Sequence, residues 1–264
     1  MTRSKRPVDV EDRQGGFLSS VLLMRDRVTE SSRYPFCIPA VRMLRNIDLH
    51  PEVTFFIGEN GSGKSTLVEA IAIQAGFNPE GGTRNFNFST RSSESELHRC
   101  LRLARGVRRE RTGYFFRAES FFNVATEIEA LDREPCAAPP VIASYGGKYL
   151  HNQSHGESFL ALIKNRFGPD GLYILDEPEA ALSPSRQLTL LARIHELAHR
   201  GRSQFLIATH SPIVLAYPGA IIYQLSDSGI AQVQYEETEH FFLTREFLLH
   251  RERFFHELFD EPER

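Results

Sequence analysis

Cysteine is scarce: Cys37, Cys100 and Cys136 are the only three in 264 residues, and none belongs to a CxxC pair. An odd number of widely spaced thiols excludes a disulfide framework and a four-cysteine metal site, so a reducing, cytoplasmic setting is expected. Long apolar runs are also lacking. No stretch of about 18 apolar residues occurs and residues 1–12 carry no apolar signal core, so no membrane insertion is expected. Charge of one sign is missing too: 31 basic against 34 acidic residues leave a net charge of −3. No global positive field therefore points to nucleic acid, and such a reading needs a local patch. With 41% hydrophobic and 25% charged residues, the composition is that of an ordinary globular domain, which excludes long disorder and a collagen-like fibre.

Along the chain, residues 1–16 are polar, end in Gly15-Gly16 and read as a flexible lead-in to one domain spanning 17–264. Apolar, β-branched and aromatic residues at 53–57 predict a strand, followed by a glycine-rich loop and a helix over 65–74. Residues 78–93 read as a loop. Residues 97–104 and 114–116 read as two strands of a hairpin with a basic turn, a helix being the alternative for the first. Helices are expected at 121–133, ended by the prolines of 135–140, and at 158–167, stopped by Gly168-Pro169-Asp170-Gly171. Apolar runs without alternation at 172–175, 205–208 and 220–225 predict strands buried on both faces, with a helix at 184–199 between the first two. An edge strand at 233–235 and an amphipathic helix at 238–259 complete an α/β pattern: a mainly parallel central sheet flanked by helices, with a smaller antiparallel part.

The residues from Gly58 to Ser65 match GxxxxGK[ST] between a strand and a helix, the context in which that loop holds a nucleoside triphosphate. Glycines let backbone N–H groups turn inward, and the next helix points its positive end at the phosphates. Asn60, Gly61, Ser62, Gly63, Lys64, Ser65 and Thr66 are the expected ATP contacts, with Lys64 on the β and γ oxygens and Ser65 on magnesium. A second apolar strand ends in Asp176-Glu177. Asp176 is the second expected magnesium residue, and Glu177 is placed to orient and deprotonate a water attacking the γ-phosphate.

Beyond these two motifs the order of features resembles the ATP-binding-cassette (ABC) class of P-loop ATPases. The resemblance rests on Gln153-Ser154-His155-Gly156-Glu157 before a helix, on the stretch from Asp176 to Ser183, and on Thr209-His210 ending the next strand, over about 155 residues. It implies that Ser154, Gly156 and Glu157 bind the γ-phosphate held by the other subunit of a head-to-tail, ATP-dependent homodimer, and that His210 contacts that phosphate as a third catalytic residue beside Glu177 and Lys64. It further implies an output through an unidentified effector. Glu179, Pro184 and the Thr209 to Pro212 stretch are most similar to small non-transporter members related to DNA-repair, chromosome-maintenance and phage-defence ATPases. Departures are visible: His155 and Glu157 stand where the class has Gly and Gln, and Ser183 stands where it has Asp. The coupling glutamine is missing, with Glu119 or Asn123 in its region, and Tyr34 or Phe36 is a positional guess for adenine stacking. The 35 or so residues between Glu119 and Ser154 leave no room for a long coiled coil.

Other readings compete. Ser154 and Glu157 also form an ordinary capping box. The sequence from His195 to His199 fits the HExxH pattern of zinc proteases, yet the helix's apolar stripe leaves both imidazoles on the solvent side and no third ligand is identifiable. Six arginines between Arg99 and Arg111 form a patch that fits nucleic-acid phosphates, or else a solvated turn. A transporter motor subunit, a DNA-binding ATPase module and a small-molecule kinase are the alternative functions; the absence of NKxD disfavours GTP.

Overall fold

The computed structural model describes residues 15–84, 95–133 and 139–259; most of the lead-in, most of the 78–93 loop, Cys136 and part of the proline break lie outside them. Leu18–Leu23 (β1) leads through the short helix Pro39–Met43 (α1) and Asn46–Asp48 (β2) to Val53–Ile57 (β3) and the helix Lys64–Gln74 (α2). Leu97–Cys100 (α3) runs directly into Leu101–Arg105 (β4), and Thr112–Arg117 (β5) precedes Phe121–Arg133 (α4) and His155–Arg166 (α5). Next come Gly171–Asp176 (β6), Pro184–His195 (α6), Gln204–Ala208 (β7), Pro212–Leu215 (α7), Ile221–Ser226 (β8) and Gly229–Val233 (β9). The helices Glu239–Leu249 (α8) and Arg251–Phe259 (α9) follow.

Strands β3, β6 and β7 are buried at every position, as their unbroken apolar runs require of a sheet covered on both faces. They lie inside a six-stranded sheet of order β5-β6-β7-β3-β8-β9, parallel except for the antiparallel edge strand β9. A second, antiparallel sheet has the order β2-β1-β4. Because neighbours along a strand point to opposite faces, Phe55, Tyr173 and Phe205 join α4, α5 and α6 in one core. Phe56, Ile174 and Leu206 join α2 and the small sheet in the other.

Three local readings are corrected. β4 and β5 are not a hairpin: β4 pairs antiparallel with β1, whereas β5 pairs parallel with β6. The buried Tyr114, Phe115 and Phe116 match β6 residue for residue in the large core, while β4 is half exposed and suits the outer sheet. Arg108, Arg109 and Arg111 therefore lie on a link between two sheets, with Arg99 on α3 and Arg102 and Arg105 on β4. The edge strand ends at Val233 and starts earlier, at the tight Ser226↔Gly229 pairing; Tyr235 lies in a turn, its hydroxyl donating to the Pro212 carbonyl at 2.9 Å. The carboxy-terminal helix breaks at His250, whose backbone (φ −132°, ψ 36°) leaves the helical region. Neither α8 nor α9 contains a buried residue: Phe241 packs on Tyr235 and Phe247 on Phe254 and Phe255, while Phe242, Leu248, Leu249, Leu258 and Phe259 are exposed.

Candidate nucleotide site

The register places Phe56 of β3 and Asp176 of β6 both opposite Ala208 of β7, so the three strands end level. Ligands of open α/β sheets bind beyond such carboxyl ends. The loop after β3 turns on Gly58 at φ 148°, where a Cβ would collide with the Leu225 carbonyl, and the left-handed Gly63 opens α2. Lys64 is 4% exposed, and its ammonium donates to the carbonyls of Gly58 at 2.8 Å and Glu59 at 2.9 Å. Burial lowers its pKa, against the opposing pull of Glu177, Asp176 and Glu179. The Ser65 hydroxyl donates to Asp176 Oδ1 at 3.0 Å. Within the loop, Ser62 Oγ is buried and has no hydrogen-bond partner among the described residues. Thr66 Oγ1 lies 3.1 Å from the Tyr34 hydroxyl. Tyr34 is exposed and Phe36 is buried in the core, so of the two adenine-stacking guesses Phe36 has no face to offer.

Burial pushes the Asp176 carboxyl up to about 6, although Arg117 and the Ser65 hydroxyl favour its charged form. Arg117 Nε is 3.8 Å from Asp176, and its Nη1 pairs with Glu69 at 2.6 Å. Glu177 sits in the left-handed region at φ 51°, an uncommon conformation for a residue with a side chain. Its amide donates to Ala208 O at 2.9 Å, which anchors the turn to β7. That turn brings the Glu177 carboxylate within 3.8 Å of His210 Nε2. The His210 amide donates to Glu179 Oε1 at 2.6 Å, and burial raises the Glu179 pKa. Burial also lowers the His210 pKa, with the Lys64 charge adding to it.

The loop, Glu177 and His210 line one cleft of about 1140 Å³, together with Glu239, His240 and Leu243 of α8. Lys64 adjoins it through the Gly58 and Glu59 carbonyls, and Asp176, next to Glu177 in the chain, holds Ser65. Ser154, Gly156 and Glu157 do not line it. They open α5 as a reciprocal cap: Ser154 Oγ accepts from the Glu157 amide, and the Glu157 carboxylate accepts from the Ser154 amide at 3.0 Å. That amide and the Ser154 hydroxyl, which donates to the same carboxylate at 2.8 Å, hold the Glu157 carboxyl below its ordinary pKa. A Cβ at Gly156 would press on the Ala181 carbonyl and the Arg186 guanidinium, which accounts for the glycine by packing alone. Of the two coupling candidates, Glu119 is 3.4 Å from Arg117 and Asn123 donates to Glu80 at 3.0 Å.

His195 and His199 are exposed with rings 5.5 Å apart; no group of three possible metal-holding residues occurs among the described residues. The arginine patch is partly consumed, Arg105 pairing with Glu110 at 3.0 Å and Arg108 with Asp170 at 2.6 Å. Sequence reasoning missed Arg117, Glu69 and His240. Arg117 stands two residues before Glu119 but is neither an amide nor a carboxylate, and His240 carries no local signal at all.

Among the described residues, no helix is long and apolar enough to cross a membrane. A family model described as "AAA domain" matches residues 42–120. A second, described as "AAA domain, putative AbiEii toxin, Type IV TA system", matches residues 158–216. The chain is 28% identical over 178 residues to the hemin import ATP-binding protein HmuV of Pseudomonas aeruginosa, covering 61% of this chain and 68% of that one. It is 24% identical over 218 residues to the energy-coupling factor transporter ATP-binding protein EcfA2 of Methanospirillum hungatei, covering 74% of this chain and 51% of the relative. It spans about half the length of that second relative. A solved SMC head domain from Thermotoga maritima superimposes with a TM-score of 0.40 at 17% identity, covering 82% of this chain and 98% of that domain. The two family matches fall on the two halves of the strand-edge cleft, 42–120 holding the phosphate loop and 158–216 the acid pair with His210, and together with the cassette relatives they make the chain similar to the ABC class of P-loop ATPases.

Proposed function

We propose that the chain binds ATP with magnesium, hydrolyses it, and uses the cycle to close and open a head-to-tail pair of subunits. The observation that carries this reading is the hydrogen bond from Ser65 to Asp176, because it brings a hydroxyl and a carboxylate from two distant motifs together at the mouth of one anion-holding loop. These two oxygen donors fit a hard divalent cation, and the unpartnered Ser62 hydroxyl fits a phosphate oxygen. Magnesium, when bound, supplies neutralisation of charge on the phosphate oxygens.

The chain's own residues do the rest. Lys64 exchanges two backbone carbonyls for β and γ oxygens, a small movement for a side chain already inside the loop. Glu177 orients a water and accepts its proton, and His210 hydrogen-bonds the γ-phosphate from the opposite side. Ser154 with the amides of Gly156 and Glu157 forms the anion-facing start of α5, which reaches a γ-phosphate only from a second subunit since it lies outside its own chain's cleft. The effector is a protein or nucleic-acid process. Transport is what the names of HmuV and EcfA2 suggest, and the exposed Arg99, Arg102, Arg109 and Arg111 are what remains to favour nucleic acid.

Glu177→Gln tests the reading. The amide keeps the size of the side chain but accepts no proton, so hydrolysis falls by about 10² to 10⁴ while ATP binding persists. The variant accumulates as a dimer with Mg-ATP and stays monomeric with ADP, as read by size-exclusion chromatography with light scattering. Hydrolysis at the wild-type rate would refute the proposed role of Glu177.

A further inference from the structure

The cleft is closed on one side by α8, an element that none of the recognised motifs includes. From it, His240 reaches the strand-end histidine: His240 Nε2 lies 3.3 Å from His210 Nδ1, with ring centroids 5.5 Å apart. The other nitrogen of each ring is buried with no hydrogen-bond partner among the described residues, and His210 Nε2 looks toward Glu177 Oε1 at 3.8 Å.

Two neutral arrangements satisfy the contact between the rings. If His210 donates, its Nε2 lone pair faces the Glu177 carboxylate, and His240 is left with a buried, unpartnered Nδ1–H. If His240 donates, His210 Nε2 carries the hydrogen that faces the carboxylate, and His240 keeps only a bare acceptor. The second arrangement is favoured twice, by attraction in place of repulsion at Glu177 and because a buried N–H without a partner costs more than an under-used acceptor. Desolvation lowers the pKa of both rings, and Lys64 acts on both in the same direction, which fits neutral imidazoles.

We propose that His240 is a positioning residue for His210: its Nε2–H donates to His210 Nδ1 and holds His210 in the tautomer that presents Nε2–H to Glu177 and the phosphate end of the cleft. In a functional histidine the hydrogen bond at one ring nitrogen sets what the other can do. The carboxy-terminal helix thereby takes part in nucleotide turnover, a role that rests on the ATPase reading above, whereas the tautomer itself does not.

The first test uses the full chain labelled with ¹⁵N-histidine, without nucleotide, and long-range ¹H–¹⁵N correlation of the imidazoles. Both rings are expected as neutral Nε2–H tautomers; a neutral Nδ1–H form of His210 overturns the proposal. The second test is kinetic. His240→Ala lowers kcat by about 10- to 100-fold, the range found when a metal-bound histidine loses the partner of its other ring nitrogen, with the affinity for a non-hydrolysable ATP analogue unchanged. His240→Gln, whose amide still donates, recovers most of the turnover and serves if the alanine variant does not fold. In a His210→Ala background His240→Ala has no further effect. Losses that multiply in the double variant overturn the proposal while a normal Glu177→Gln effect keeps the ATPase reading standing; a silent Glu177→Gln with the expected tautomers does the reverse.

Discussion

Ser65 and Asp176, 111 residues apart in the chain, are joined by a 3.0 Å hydrogen bond from hydroxyl to carboxylate at the level where β3 and β6 end. The bond holds a carboxylate that is only 6% exposed beside the start of a helix, and it does so at a cost in solvation.

That cost is measurable. The folded Asp176 has a pKa of about 6 against an ordinary 3.8, so the folded chain binds its proton more tightly than the unfolded chain. The penalty is full above pH 6, shrinks as pH falls through 6 and is gone below about pH 4. Asp176→Asn removes the charge and keeps an acceptor for Ser65. The nucleotide-free, metal-free variant is therefore expected to be about 1–3 kcal/mol more stable than wild type at pH 8, with the gain vanishing near pH 4. Urea melts at pH 8, 6 and 4 check it, and equal stability at pH 8 contradicts it. The same variant should lose hydrolysis.

Lys64→Ala removes the buried ammonium that bridges Gly58 and Glu59. ATP affinity or turnover should drop by at least about 10²-fold, as charge-assisted phosphate contacts are worth several kcal/mol, while the variant still melts cooperatively. Calorimetric titration with ATP and a turnover assay decide, and wild-type turnover would refute the assignment of the loop.

Ser154→Arg fills the start of α5 where a second subunit's phosphate is proposed to dock. Losing the serine cap costs about 1 kcal/mol of stability, so the variant melts slightly lower but binds ATP as a monomer. It should not pair with ATP. Mixed with Lys64→Ala it should regain partial turnover, because one composite site per heterodimer keeps both intact halves; normal ATP-dependent pairing of Ser154→Arg alone would exclude a composite site.

Arg108 and Arg109 are neighbours with opposite expectations. Arg108 pairs with Asp170 at 2.6 Å and lies 5.0 Å over the Phe17 ring, tying the inter-sheet link to the residues that precede β6 and β1, whereas Arg109 is exposed. Arg108→Ala is expected to cost about 1–2 kcal/mol and Arg109→Ala less than about 0.5. Thermal melts of the two single variants separate them. Equal effects would mean that the link is an undifferentiated solvated turn.

Much of the candidate site is visible in the order of residues because its parts are local. A buried strand, glycines able to turn sharply, a lysine and a hydroxyl at the start of a helix are all fixed by neighbours within a dozen positions, and the same holds for the apolar run into Asp176-Glu177. Ser154 shows the limit of that kind of reading: a capping box and a phosphate-facing helix start use the same serine, and the bonds seen within one chain are those of the cap.

What the sequence by itself determined is therefore the set of α/β elements and the two acid-and-phosphate motifs, since backbone preference and burial pattern act over short spans. Which strand joins which sheet was decided only in three dimensions. β4 and β5 carry similar local signals, and they separate because β1 offers one a half-exposed antiparallel edge while β6 offers the other a fully buried parallel one. Arg117 reaches Asp176 only through that pairing, its register partner across the two strands. His240 meets His210 only because α8 folds back over the carboxyl edge of the sheet. Contacts between residues 30 or more positions apart depend on the packing of whole elements, and no span of sequence short enough to show periodicity contains both partners.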